Sequence, residues 1–210
     1  MSYSICPTVT AYSDAEYKKQ IEFVTSLSKR IHIDFMDGMF APTVSQSIHE
    51  AWWPKQVKAD LHIMYRHPML AIKDIIDHHP HLVIAHAEAD HISSFVHDLH
   101  EHRIKVGIAL LQDTPVEKLH HFIKVIDHVL VFSGNLGHHG GHADLALLDK
   151  VRTIKQMRSD IEIGWDGGIT IENIRQLKEA GVNVFNVGGA IHTSSDPKDT
   201  YQRMQELIQS

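Results

Sequence analysis

Short β-branched runs alternate with longer amphipathic stretches eight times along this chain, and that alternation restricts the fold more than any other feature. The pattern predicts strands at Tyr3–Cys6, Ile31–Phe35, Lys58–His62, Leu82–His86, Lys105–Ala109, His128–Phe132, Ile161–Trp165 and Val184–Val187. It predicts helices at Asp14–Ser28, Ser47–Trp53, Pro68–Asp77, Ile92–Glu101, Val116–Ile123, Ala143–Met157, Ile171–Ala180 and Lys198–Ile208. Pro115 and Pro197 fall near helix starts, and Gly181 stops the helix that Ala180 ends. A repeated strand-then-helix series favours a parallel sheet with helical crossovers. Eight such units favour a closed (β/α)8 barrel, the TIM-barrel architecture, over an open doubly wound sheet. With 210 residues, 43% hydrophobic and 22% charged, and no second composition zone, the expectation is one α/β domain spanning 1–210.

Composition removes several classes of function. A net charge of −6 gives no basic footprint for nucleic acid or an anionic membrane. No run approaches a membrane span, and Met1 to Asp14 lacks the basic and apolar regions of a secretory leader. A single cysteine, Cys6, precludes an internal disulfide framework and suits a reducing compartment, so a cytoplasmic protein is expected. Most of the 19 histidines, including the pairs His78-His79, His120-His121 and His138-His139, read as solvated surface residues. Chemical weight falls on His32 and His62.

Side chains in a strand alternate faces with period two. His32, Asp34 and Met36 therefore share a face, as do His62 and Met64, and Asp166 ends a third apolar run. Active residues in such a barrel come from the C-terminal ends of strands and the loops beyond them, where these residues lie. Two imidazoles and two carboxylates make a nitrogen and oxygen donor set suited to a divalent metal. As merely structural polar residues, the four would be buried charges without partners, which is costly. Glycines follow the last three strands, at Gly137, Gly140 and Gly141, at Gly167 and Gly168, and at Gly188 and Gly189. That is the usual phosphate position on this fold, and glycine lets backbone approach an anion closely.

The ordered motifs His32-Ile-Asp34-Phe-Met36-Asp37-Gly38-x-Phe40-x-Pro42, Leu61-His62-Ile-Met64, His86-x-Glu88-Ala89, Asp166-Gly167-Gly168 and Gly188-Gly189-Ala190-Ile191 resemble the ribulose-phosphate 3-epimerase family over essentially the whole chain. The resemblance implies a barrel of the ribulose-phosphate-binding type and an isomerase that inverts carbon 3 of a ketopentose 5-phosphate, interconverting ribulose 5-phosphate and xylulose 5-phosphate. It implies Asp34 and Asp166 as the two proton carriers and also as metal ligands beside His32 and His62. Zinc leads as the ion, and iron, manganese or cobalt suit the same mixed site. Met36 and Met64 correspond to thioethers packed near the enediolate, although methionines at such positions can equally be core filler. Thr8 corresponds to a hydroxyl on a substrate oxygen. Association into a homo-oligomer is also implied, and no patch in the sequence marks the interface.

The chain departs from the family pattern in its substrate shell. Pro7-Thr8 stands for Pro-Ser, Pro42-Thr43 for Pro-Asn, Phe132 for a methionine and Gly189 for a serine. Gly137-His138-His139-Gly140-Gly141 lacks the usual aromatic and shifts the glycines, and Leu110-Leu111-Gln112-Asp113 lacks a Pro-Gly turn. Intact metal chemistry with an altered shell leaves two alternatives: a related ketohexose-phosphate 3-epimerase and a non-catalytic sugar-phosphate-binding paralogue. A decarboxylase of the related barrels would resemble Asp-x-Lys-x-x-Asp, and Met36 stands where that lysine would. Trp52 and Trp53 read as core or interface packing, Asp37 as a turn residue, and His86 and Glu88 as residues that orient the pocket without chemistry of their own.

Overall fold

The computed structural model describes residues 3–209; Met1, Ser2 and Ser210, which the expected domain includes, lie outside the described residues. Eight parallel strands close on themselves in chain order: β1 Ser4–Val9, β2 Arg30–Met36, β3 Lys58–Met64, β4 Leu82–His86, β5 Lys105–Leu110, β6 His128–Phe132, β7 Glu162–Asp166 and β8 Val184–Val187. Every adjacent pair, including β8 with β1, is parallel. The expected barrel is therefore the observed one.

β1 runs past the expected stop at Cys6. Pro7 has no N–H and normally ends an interior strand. Here the ladder changes partner at that point: β8 pairs with Ser4 through Pro7, and β2 pairs with Thr8 and Val9. The strand thus carries Thr8 to the barrel mouth, with Thr10 just beyond it.

The helices are α1 Asp14–Leu27, α2 Ile72–His78, α3 Ile92–Glu101, α4 Leu148–Met157, α5 Ile174–Ala180, α6 Gly189–His192 and α7 Pro197–Gln209. Two expected helices are only 3-10 segments, Ile48–Glu50 and Val116–His121. Pro54 disfavours helical backbone just before it, leaving too short a window after β2 for a helix to propagate. After β5, Val116 and Leu119 are both buried, and their spacing of three suits three residues per turn. α4 starts at Leu148 rather than Ala143, after a 3-10 turn whose Asp144 side chain accepts from the Ala146 N–H. α5 starts late because the Asn173 side chain holds the Thr170 N–H and the Gly168 carbonyl in the preceding turn. α6 has no counterpart among the expected helices.

Period two sorts the strands. On β2, Ile31, Ile33 and Phe35 join the large apolar layer between barrel and helices, packed with Tyr17, Ile21 and Val24 of α1. Each such buried aliphatic side chain contributes roughly 1.5–3 kcal/mol. Inside the barrel, Leu82, Ile84, Ala109 and Leu130 form a separate apolar cluster. At the N-terminal ends of the strands, Arg30 pairs with Glu162 through both nitrogens (3.0 and 2.8 Å) and with Asp60 (2.7 Å), while His128 meets Glu162 at 2.9 Å. This charged plug closes the floor, so the opposite mouth is left for chemistry. His128 is completely buried there, unlike the solvated histidines expected.

Candidate active site

β2 and β3 pair along their whole length, which sets Asp34 beside His62 and Met36 beside Met64. β7 brings Asp166 to the same mouth. His32 and His62 are completely buried, and the Asp34 and Asp166 side chains are 9% and 14% exposed. His32 Nε2 lies 3.2 Å from Asp34 Oδ1 and 3.6 Å from Asp166 Oδ2; His62 Nδ1 lies 3.1 and 3.6 Å from the same two oxygens. Donors about 2.0–2.1 Å from one ion in a tetrahedron are separated by roughly 3.3–3.4 Å. One donor atom from each of the four residues lies within 4.8 Å of the others. His32 Nε2 makes no hydrogen bond among the described residues despite its two near oxygens, the mark of a ligand atom aimed at a group that side chains do not supply. The residues fit a divalent cation.

Charge balance leads to the same place. Burial alone would lower the His32 pKa, but the Asp166 and Asp34 carboxylates push it up to about 10. His62 is raised by the same two groups against the same penalty. Burial would raise Asp34 and Asp166, yet the two imidazoles hold both below the usual carboxylate range. Two buried negative charges persist only beside compensating positive charge, and a dication supplies it with both imidazoles neutral.

Further side chains fix these ligands in place. Thr10 Oγ1 donates to Asp34 Oδ2 at 2.6 Å, leaving Oδ1 for the cation site. His62 Nε2 stands 2.9 Å from His86 Nε2, so one of the two rings donates to the other. His86 Nδ1 lies 3.5 Å from Glu88 Oε2, and Glu88 Oε1 accepts from the Leu111 N–H (3.1 Å) and from the Thr114 hydroxyl. Burial lowers the His86 pKa to about 4 against the pull of Glu88, so that ring is a neutral partner. His86 and Glu88 thus sit directly behind a ligand. Asp37 is the turn residue expected, its carboxylate accepting from the N–H groups of Met39, Phe40 and Arg66.

Beyond Asp34 and Asp166 the mouth opens into a cavity of about 190 Å³ that Thr8, Met36, Met64 and all seven candidate glycines help to line. Met36 and Met64 are 1% and 2% exposed and form an apolar rim with Ala41. Phe132 adds ring contacts to His62 and His86, both at 5.8 Å. Loop carbonyls are turned away from the cavity: Gly137 O accepts from Thr43 Oγ1 (2.6 Å) and the Tyr12 hydroxyl (3.1 Å), Gly167 O from the Trp165 indole (2.9 Å), and Gly168 O from Asn173 (2.8 Å). The amides of Gly140, Gly141, Gly167 and Gly168 donate no hydrogen bond among the described residues. Gly168 has φ +67°, and a Cβ there would lie 2.0 Å from the Ala143 nitrogen, so only glycine fits. Free amides beside such turns suit an anion.

Five contributors escaped the sequence reading. Thr10 lies beyond Pro7, where the strand was expected to have ended. Tyr12 contributes through one hydroxyl on a loop. Asn186 is hidden in the apolar run of β8, although its register with Asp166 would have marked it. His138 and His139, set aside as surface, are exposed but also border the cavity.

The model of the ribulose-phosphate 3 epimerase family matches residues 4–192. The chain is 32% identical over 177 residues to the ribulose-phosphate 3-epimerase of Bacillus subtilis, covering 80% of this chain and 82% of that protein. It is 30% identical over 205 residues to the same-named protein of Mycobacterium leprae, covering 92% and 89%. Among solved structures, 3-keto-L-gulonate-6-phosphate decarboxylase from Vibrio cholerae superposes with TM-score 0.74 at 13% identity over 100% of this chain and 98% of that one. 3-Hexulose-6-phosphate synthase from Salmonella typhimurium gives 0.73 at 16% over 100% and 99%. At these identities the two structures speak for the fold alone.

Proposed function

The chain belongs to the ribulose-phosphate 3-epimerase family, and from that premise we propose that it is an isomerase inverting carbon 3 of a phosphorylated ketose, ribulose 5-phosphate to xylulose 5-phosphate. The observation that carries this reading is the pair of carboxylates, Asp34 from β2 and Asp166 from β7, facing one cation site from different strands of the barrel. Inversion requires removing a proton from one face of carbon 3 and returning one to the other. Both carboxylates are held ionised in the free site, so one must take up a proton in the turnover complex; the ionised one then removes the substrate proton while the protonated one gives its own, and the roles exchange in reverse.

The proton lies on a carbon alpha to a ketone and is too weakly acidic to leave at neutral pH unless the resulting enediolate is stabilised. A divalent cation held by His32, Asp34, His62 and Asp166 supplies Lewis-acid stabilisation of that developing charge. Zinc suits the two-nitrogen, two-oxygen donor set, with iron, manganese and cobalt as alternatives. Thr10 keeps Asp34 oriented, and Met36, Met64 and Phe132 cover the reacting carbons with groups that offer no proton. Thr8 is assigned to a substrate oxygen. The phosphate is assigned to the glycine amides at Gly140, Gly141, Gly167 and Gly168, with Gly188 and Gly189 beside them; Gly137 anchors the loop through its engaged carbonyl. A reducing, cytoplasmic setting suits the buried thiol of Cys6, and a homo-oligomer is what the family implies. No helix among the described residues is long and apolar enough to cross a membrane.

The test is exchange at carbon 3. Metal-loaded protein incubated in deuterated water with ribulose 5-phosphate, and separately with allulose 6-phosphate, should place deuterium at that carbon in the pentose. Asp34→Asn and Asp166→Asn should each suppress inversion, and the one that removes the carboxylate facing the ribulose carbon-3 proton should suppress exchange in that sugar as well. Faster exchange in the hexose would move the substrate to six carbons, and none with either sugar would favour a non-catalytic sugar-phosphate sensor.

A further inference from the structure

β8 carries a residue to which the reaction above gives no task. Asn186 is 2% exposed and helps to line the cavity. Neither its Oδ1 nor its Nδ2 has a hydrogen-bond partner among the described residues. Buried carboxamides are almost always satisfied, so a stranded one facing a binding cavity points to a partner that arrives with the ligand. Register locates it: Asn186 pairs with Asp166 on one side and Cys6 on the other, and it stands two residues before Gly188. It therefore lies between a proton carrier and the glycine turns assigned to phosphate.

We propose that Asn186 is a specificity-determining residue that recognises the hydroxyl on carbon 4 of the substrate. The inference rests on the function proposed above. With carbon 3 at Asp34 and Asp166 and the 5-phosphate at the glycine amides, the carbon between them must pass Asn186. In a ketopentose phosphate that carbon bears a hydroxyl, both a donor and an acceptor. Either end of a carboxamide pairs with it, Oδ1 accepting or Nδ2 donating, whichever way the amide is turned. A site built to hydrogen-bond a hydroxyl rejects an analogue lacking it far more strongly than an apolar wall does, because the empty polar group is left bare.

The experiment is a two-by-two comparison of enzyme and substrate, using metal-loaded full-length protein, ribulose 5-phosphate and its 4-deoxy analogue. The unsubstituted enzyme should favour the hydroxylated sugar by at least ~100-fold in kcat/KM. Asn186→Val should lose about 10- to 100-fold on ribulose 5-phosphate while holding the 4-deoxy sugar within about threefold, so that discrimination collapses. Asn186→Thr, the same shape with a hydroxyl restored, should recover part of it. Retained turnover of the 4-deoxy sugar shows that the variant is folded and loaded. A ratio unchanged by Asn186→Val, as expected if only a water meets the amide, overturns the proposal. Equal losses on both sugars overturn it in favour of a structural role. An unsubstituted enzyme inactive on ribulose 5-phosphate instead removes the functional reading beneath it, and the inference with it.

Discussion

The cation end and the anion end of this one cavity are built from different material. At the cation end, every donor is a side chain on a strand, buried or nearly so, with Asp34 braced by Thr10 and His62 by His86. At the anion end, the candidate donors are backbone amides of loops after β6 and β7, at least partly exposed, and side chains hold carbonyls of the same loops: Thr43 and Tyr12 that of Gly137, Trp165 that of Gly167 and Asn173 that of Gly168. A cation needs lone pairs converging from several directions, which strands around a barrel mouth provide. An anion needs N–H groups, which a strand or helix interior has already spent on its own ladder. Damage to the first end should therefore be chemical, and damage to the second conformational.

The largest break in that contrast comes from the carboxylates. Asp34→Asn or Asp166→Asn should reduce kcat by about 10²–10⁴-fold with the fold intact, read by steady-state kinetics beside circular dichroism. A loss confined to KM would remove both from proton transfer. Next comes His86, behind the ligand His62. His86→Phe should weaken cation affinity about 10- to 100-fold in equilibrium dialysis, and unchanged affinity would make His86 simple packing.

Acidity sharpens the same end. With His32 raised to about 10, a cation must displace its proton, so binding should strengthen by about tenfold per pH unit for each proton released, up to that value. Calorimetry at pH 7 in two buffers of different ionisation enthalpy should read proton release, and equal heats would contradict it. The His32 contribution to stability of the cation-free fold is full below its unfolded value near 6.5 and is lost as pH rises through 10. Melting temperature without metal should fall across that window. At the other end, Gly168→Ala should raise KM for the phosphorylated sugar by about tenfold and cost about 1–3 kcal/mol of stability, since its φ of +67° and the nearby Ala143 backbone force the turn to move. Cation affinity should stay unchanged; a drop there would mean that the two ends are mechanically joined.

The same division explains what could be read before any coordinates. His32, Asp34 and Met36 were legible as one face because a strand has an invariant period, and the barrel followed from eight repetitions of that period with helical crossovers. Thr10 was not, because the expected strand stopped at Cys6, and only the change of ladder partner from β8 to β2 carries the chain past Pro7. The helices expected at Ser47–Trp53 and Val116–Ile123 failed because apolar spacing does not distinguish a short α-helix from a 3-10 segment. The anion end was legible only as glycines near strand ends. Which carbonyls turn away depends on side chains such as Thr43, 94 residues from Gly137, and no local pattern encodes that contact.

Thr43 supplies the smallest effect and the finest test of the contrast, because it touches both ends. Its hydroxyl lies 2.6 Å from Gly137 O and 3.2 Å from Met36 Sδ, and the shorter contact takes its single proton. Tyr12 donates to the same carbonyl at 3.1 Å. Thr43→Val or Tyr12→Phe alone should raise KM only about two- to fivefold, the scale of one net hydrogen bond, because Gly137 O keeps its other donor. Together they strip the carbonyl of both side-chain donors and free it to turn toward the cavity, where it would face the substrate phosphate. The double variant should therefore lose more than the product of the single effects, with kcat within about twofold of the unsubstituted enzyme. Strict multiplicativity in a double-mutant cycle would show that the loop does not depend on this shared anchor. A matching fall in kcat would show instead that Thr43 reaches the reacting carbons through Met36, and the boundary between the two ends would have to be redrawn.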